Sequence, residues 1–383
     1  MTPVSKAISA IFGVFFLQSA VLGNWIPRIP DLKESLALSD AALGVCLLAI
    51  PLGTVVGLVV SGGIIERTGL RRACQIFLPA WAISFVLPAV AQSQLSFSVF
   101  LFFSGVVLGL TEVAMNTEAD RIELVFKKRI MSRCHGFWSL GSMAGALVGG
   151  VIAQSGVTVF MHFVFIMPLI AVLGFWVSSR LPQTKSAVPA DAHESASHFS
   201  LPSKAILLLC VMPMGIMVIE GAFIDWSAVF VHSLLDASPL IISVIYSFFA
   251  AVMAAVRLSG DAIGERFAAK QIVQVSGVAA SVGIVIFATA PNVGVAMLGA
   301  ALSGMGVAIV YPLAMTAAAR RPGTPADNVA AMTMVSFTSF LLAPPIIGFV
   351  SDAFGLRIAL LILAPIAAST ALLASEATPL KKN

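Results

Sequence analysis

The chain has 383 residues, 59% of them hydrophobic and only 10% charged, where soluble domains average about 45–50% and about 25%. A mean hydropathy of +1.01 and charge-free runs as long as Gln271 to Ala319 require most of the apolar surface to face lipid. At roughly 30 residues for each span and its connection, about twelve or thirteen spans consume the chain and exclude a catalytic or nucleic-acid-binding domain.

Charges and turn residues predict helices over 7–26, 40–65, 74–91, 97–119, 133–153 and 159–179. The first apolar stretch has only Lys6 before it and no small-residue cleavage site after it, so it reads as a retained helix rather than a signal peptide. A polar stretch, RLPQTKSAVPADAHESASHFSLP, follows the sixth helix, and six more are predicted over 203–226, 239–259, 271–290, 294–317, 330–351 and 357–375. Gln154 to Gly156 and Pro291 with Asn292 mark two of the tight breaks. The expected organisation is an all-α membrane protein with an N-terminal six-helix bundle over 1–180, a linker over 181–202 and a C-terminal six-helix bundle over 203–383.

With the amino terminus in the cytoplasm, 19 of the 22 Lys and Arg lie on cytoplasmic segments and only Arg28, Lys33 and Arg357 lie outside. The positive-inside rule therefore predicts both termini on the cytoplasmic face of the inner (plasma) membrane. Cys46, Cys74, Cys134 and Cys210 fall within or at the edge of predicted helices without zinc or redox spacing, so no disulfide, metal or cofactor is expected.

Sliding the chain against itself yields matches at an offset of 199 residues: Ser39 with Ser238, Glu66 and Arg67 with Glu265 and Arg266, Gly105 with Gly304, Gly149 with Gly348, and Gly156 with Gly355. Asn24 and Trp25 match Asp225 and Trp226 at 201. Ser39 and Ser238 read as helix N-caps, with Pro239 in the first turn. Two repeated six-helix bundles enclose a central cleft that rocking exposes to either side in turn, which is the architecture of a secondary transporter.

The loop after helix two, SGGIIERTGLRR, resembles the signature of the major facilitator superfamily, GxxxDRxGRR, with Gly62, Glu66, Arg67, Gly69, Arg71 and Arg72 in its places and Leu70 inserted before Arg71. SGDAIGERFAAK, with Asp261, Glu265 and Arg266, echoes it after helix eight. The resemblance covers essentially the whole chain and implies a cytoplasmic latch and switch at these residues, which positive-inside topology alone also accounts for. Helix four carries GLTEVAMN, with Glu112 and Asn116 four residues apart on one face. It looks like the fucose:proton symporter family, which implies Glu112 as proton carrier and Asn116 as a substrate contact. Helix one has no acid, so that family's second acidic group is missing or replaced. The run MNTEADRIELVFKKRIMSRCHGFWSLGSMAGA is also similar to bacterial inner-membrane permeases of this branch.

Acids within predicted spans are Glu112, Glu118, Glu220 and Asp225; each costs about 2.5–3.5 kcal/mol near the bilayer centre. Glu112 is deep enough for a neutral, protonated form to be accessible, as a proton carrier requires. His135, in the first turn of helix five, is either a relay for Glu112 or an interfacial side chain. Glu220, expected toward the outer part of helix seven, is a candidate substrate contact, with Gln18, Asn24, Tyr246 and Tyr311; each of these can equally bond a neighbouring helix. Asp225 and Trp226, expected at the outer mouth, form with Asn24 and Trp25 a candidate outer gate. Glu118, Asp120, Arg121 and Glu123 read as a solvated inner cluster, and His162, which has no such relay partner, as structural. Gly141, Gly145 and Gly149 form a strip for close helix packing that faintly resembles an antiporter glycine motif.

These features predict proton-coupled symport of a small polar organic solute such as a sugar, by a chain that needs only itself, protons and lipid as partners. A proton-driven efflux antiporter for amphipathic compounds and a non-transporting membrane receptor are the alternatives.

Overall fold

The computed structural model describes residues 3–182 and 206–378; the linker expected over 181–202 falls, from residue 183 on, outside the described residues. Among the described residues, eleven helices are long and apolar enough to cross a membrane, and a further apolar helix, Leu356–Leu372, is shorter. In chain order they are α1 (Pro3–Trp25), α2 (Asp40–Thr68), α3 (Leu70–Ser84), α4 (Gln94–Phe126), α5 (Met131–Gln154) and α6 (Val159–Ser178). The second six are α7 (Leu207–Val211 and Met214–Leu235), α8 (Pro239–Leu258, continued by Gly260–Arg266), α9 (Ala269–Ala288), α10 (Val293–Val307 and Val310–Ala319), α11 (Pro325–Phe354) and α12 (Leu356–Leu361 and Leu363–Leu372).

Side-chain caps begin several of these helices. Ser39 accepts from Ala42 N at 3.2 Å, Thr158 from Met161 N at 3.3 Å, Ser93 from Ser96 N at 3.2 Å and Asn292 from Val295 N at 3.1 Å. Each satisfies a backbone donor that the helix itself leaves over. Ser238, expected to cap in the same way, makes no side-chain cap bond; Pro239 behind it needs no partner for a missing N–H.

The repeat holds in three dimensions. Gly156 and Gly355, paired at the 199-residue offset, both take positive φ, 77° and 84°, where a side chain would be strained. A Cβ on Gly105 of α4 would lie 2.1 Å from the Ile50 carbonyl of α2, and one on Gly304 of α10 would lie 2.4 Å from the Phe249 carbonyl of α8. Ile50 and Phe249 are also 199 apart, so the same glycine-mediated crossing is built twice. In each half the first helix packs on the fifth, the second on the fourth, and the third on the sixth. Gly141 and Gly145 of α5 meet the carbonyls of Phe16 and Ala20, which assigns the glycine strip to packing on α1.

Two seams join the halves, α5 with α8 and α2 with α11. Arg71, Arg72, Lys127, Lys128 and Arg129 mark one end of the molecule as basic. At the opposite end the halves are tied by hydrogen bonds. Asp352 of α11 accepts from Ser39 Oγ at 2.8 Å and from Asp40 N at 2.9 Å, Ser351 donates to Asp40, and His232 meets Glu34 at 2.8 Å. Lys33 completes the group as the ion-pair partner of Asp40.

Candidate functional site

Glu112 lies about 27 Å along α4 from its start and about 21 Å from its end, at 1.5 Å per residue. Its Oε1 accepts from Gln18 Nε2 of α1 at 3.1 Å, and its Oε2 from Asn116 Nδ2 at 3.0 Å. The i, i+4 spacing delivers Asn116, as the sequence predicts. Gln18 is held in turn by α5, since Trp138 Nε1 donates to its Oε1 at 2.7 Å, and by α3, since Trp81 Nε1 donates to its backbone carbonyl at 2.9 Å. Among the described residues, neither oxygen of Glu112 meets a cation.

The other half carries an ion pair. Arg257, which counts among the cytoplasmic charges in the sequence, stands one residue before the end of Pro239–Leu258, but its side chain turns inward along the bundle. Its side chain is 13% exposed, and Nη2 reaches Glu220 Oε1 at 3.1 Å. Nη1 donates to Ser139 Oγ of α5 at 2.9 Å, Nε to the Ala308 carbonyl of α10 at 3.1 Å, and the guanidinium lies 5.9 Å from the Trp138 ring centroid. The Ala308 carbonyl is available because the residue four positions on is Pro312, which has no N–H, and α10 is interrupted between Val307 and Val310. The signal that would have found Arg257 was present: 199 residues earlier stands Leu58, in the interior of α2.

Trp138 thus separates the two groups, with Glu112, Gln18 and Asn116 on one side and Arg257 with Glu220 on the other. Tyr246 of α8 exchanges a hydrogen bond with Ser142 of α5 at 2.8 Å, and Tyr311 of α10 donates to Thr333 of α11 at 3.1 Å. Tyr311 is within electrostatic reach of Glu112, its counterpart in the repeat.

Several expectations of place are corrected. Glu220 is central, about 20 Å from the start of α7 and about 22 Å from its end, because α7 runs on to Leu235 rather than stopping at 226. For the same reason Asp225 and Trp226 are not at a mouth; Trp226 is wholly buried, as is Trp25, which packs among Phe85, Phe97 and Phe163 of its own half. Contact between the halves at that end comes instead from Ser39, Asp40, Ser351 and Asp352. His162 bonds Asn24 Oδ1 at 3.0 Å, and this occupies Asn24 away from the Glu112 group. Glu118 is not solvated but fully buried in an ion pair with Arg121 at 2.5 Å. His135 stands edge-on to Phe15 and within electrostatic reach of Arg257, while the hydrogen bonds of Glu112 go to Gln18 and Asn116.

In the basic-end motif, Gly69 takes φ 78° to turn α2 into α3, and Arg71 donates to the Ser179 carbonyl after α6, within its own half. Gly62 is half-buried; Arg67, Arg72, Asp261, Glu265 and Arg266 are exposed. Cys46, Cys74, Cys134 and Cys210 are buried and unpaired, and the described residues contain no group of three His, Cys, Asp or Glu side chains placed to hold a metal ion.

The family model of the Major Facilitator Superfamily matches residues 11–339. An uncharacterized transporter of Sinorhizobium fredii is 27% identical over 94% of this chain and 95% of its own length, and the membrane protein MosC of Rhizobium meliloti is 28% identical over 92% and 86%. Among solved structures, the nucleoside transporter NupG superposes with a TM-score of 0.72 at 15% identity, over 98% of this chain and 99% of that one. A D-xylose-proton symporter superposes at 0.73 with 14% identity over 97% and 96%, and the transporter FucP in its outward conformation at 0.66 with 15% identity over 98% and 100%. At these identities the superpositions show a shared fold.

Proposed function

The chain belongs to the Major Facilitator Superfamily, a family of multi-pass membrane transporters for small molecules, and from that premise we propose that it performs proton-coupled symport of a small polar organic solute, such as a sugar, by alternating access. The observation that carries this reading is Glu112 in mid-membrane, bonded to two neutral amides, Gln18 and Asn116, and to no cation among the described residues. A bare charge there costs about 2.5–3.5 kcal/mol on insertion scales, and a proton on the carboxyl removes that cost. In the proposed cycle the protonated, loaded form reorients, and the proton then leaves toward the basic end. The positive-inside rule supports that end, with both termini, as cytoplasmic in a bacterial inner membrane. Each cleft is enclosed by one chain, so a monomer suffices.

Gln18, Asn116, Tyr246 and Tyr311 supply hydrogen-bonding groups to the solute in this reading, and Trp138 an aromatic face. The half-buried Phe12 and Phe137 rings, stacked at 4.6 Å, favour a second reading, proton-driven efflux of amphipathic compounds. Internal pH in proteoliposomes, followed as sugars, other polar metabolites and amphipathic drugs are added outside, separates them. Acidification that requires both a solute and Glu112 supports symport, and alkalinisation supports antiport. Silence across the panel with ligand binding intact would point to a receptor.

A further inference from the structure

We infer that Arg257 is the anchoring cation of the substrate site and that the substrate is a polyhydroxylated monocarboxylate, a sugar acid, whose carboxylate takes the place of Glu220 on the guanidinium. The inference rests on the symport reading and narrows its substrate class.

An arginine side chain turned into a helical bundle is costly unless its charge is met, and here it is mounted from three helices. Ala308 of α10, freed by Pro312, holds Nε; Ser139 of α5 holds Nη1; Glu220 of α7 holds Nη2 by one bond. A guanidinium carries five N–H groups and pairs carboxylates two at a time. Three are used, which leaves one N–H on each terminal nitrogen without a partner among the described residues. The fixed orientation favours bidentate capture of a carboxylate, whereas the Glu220 contact is single and long for a charge-assisted bond. Glu220 therefore has the character of an internal stand-in for an anionic ligand. Behind Trp138 stand the neutral groups suited to hydroxyls, Gln18 and Asn116, with Tyr311 and Thr333 on the other half.

The exchange balances in charge. Incoming carboxylate pairs with Arg257 in place of Glu220, and the proton that Glu112 carries in the loaded form offsets the added negative charge. The titratable and charged groups around Glu220 are Arg257 and Tyr246 of α8, Asp225 of its own helix and, beyond Arg257, His135 of α5. Among the described residues, α10 and α11 present it with no charge; α10 contributes the Ala308 carbonyl to its partner, and α11 the Phe340 ring against Gly221.

The test compares glucuronate, galacturonate and gluconate with glucose and galactose on the purified full chain, by thermal stabilisation and by proton uptake in weakly buffered detergent. Removing Arg257 alone strands a buried carboxylate, so the neutral pair Arg257→Gln with Glu220→Gln is used beside it. The expected results are stabilisation by at least one sugar acid and not by its neutral counterpart, and an affinity about 100-fold lower in the double variant. Glu220→Gln alone should bind the same anion about tenfold more tightly, since the internal competitor is gone. A purely structural ion pair would not produce that gain. Neutral sugars binding equally to wild type and the double variant would overturn the inference while leaving proton-coupled sugar symport standing. Failure of all three sugar acids to bind would overturn it as well, and failure of every solute to acidify proteoliposomes would remove the symport reading beneath it.

Discussion

Replacing Asp352 by Ala should release the end of the molecule opposite the basic loops. Its carboxylate accepts from the Ser39 hydroxyl at 2.8 Å and the Asp40 N–H at 2.9 Å, so a side chain of the second half caps the first turn of α2 in the first half. Hydrogen bonds to a charged group contribute about 1.5–3 kcal/mol each when shielded, and a carboxylate at a helix N-terminus about 0.3–1 kcal/mol more. Asp352 is exposed, so water and salt replace most of this, leaving about 1–2 kcal/mol between the closed and open arrangements. That is a shift of about 5- to 30-fold in their ratio. Spin labels on cysteines at the exposed Ser155 and Pro291, one in each half, read it as a long-distance population in double electron–electron resonance. Asp352→Asn, which keeps an acceptor but not the charge, should fall between wild type and Asp352→Ala, and high salt should narrow the gap between all three. An unchanged distance distribution in Asp352→Ala would show that packing of α2 on α11, where Gly44 and Gly348 make the close approaches, holds this end without the polar tie.

Glu112→Gln should abolish solute-driven acidification of proteoliposomes while sparing binding and exchange; full uphill uptake by this variant would take coupling away from Glu112. Trp138→Phe removes the N–H that holds Gln18 at 2.7 Å and should weaken solute binding about 5- to 10-fold, with the loss of roughly one buried hydrogen bond, measured by equilibrium binding. Gly105→Ala and Gly304→Ala each drive a methyl into a facing carbonyl, at 2.1 and 2.4 Å, and should each cost about 1–3 kcal/mol, seen as lower melting temperatures in detergent. Equal tolerance of alanine at both would refute the paired crossing.

Much of the architecture follows from composition and repetition. The apolar runs dictate helices because only a helix satisfies its own backbone in lipid, and the matched glycines at an offset of 199 announce two bundles that cross in the same way. Glu112 with Asn116 was legible for a related reason, since four residues make one helical face. Residues that act through long side chains or through the ends of helices were not. Trp226 and Asp225 changed depth because α7 runs nine residues beyond the point where charge marked its end, and Arg257, near the end of Pro239–Leu258, serves the interior because its long side chain reaches back to Glu220, Ser139 and Ala308. Hydropathy along the chain records where charges lie, not where a side chain reaches. Only the packing of α5, α7, α8 and α10 around one guanidinium, with Pro312 withholding a donor and so leaving Ala308 an acceptor, decided that the second half carries an ion pair. The physical reason is range: helix formation and capping are settled within a few residues, whereas the partner of a buried charge is chosen among side chains up to 118 positions apart.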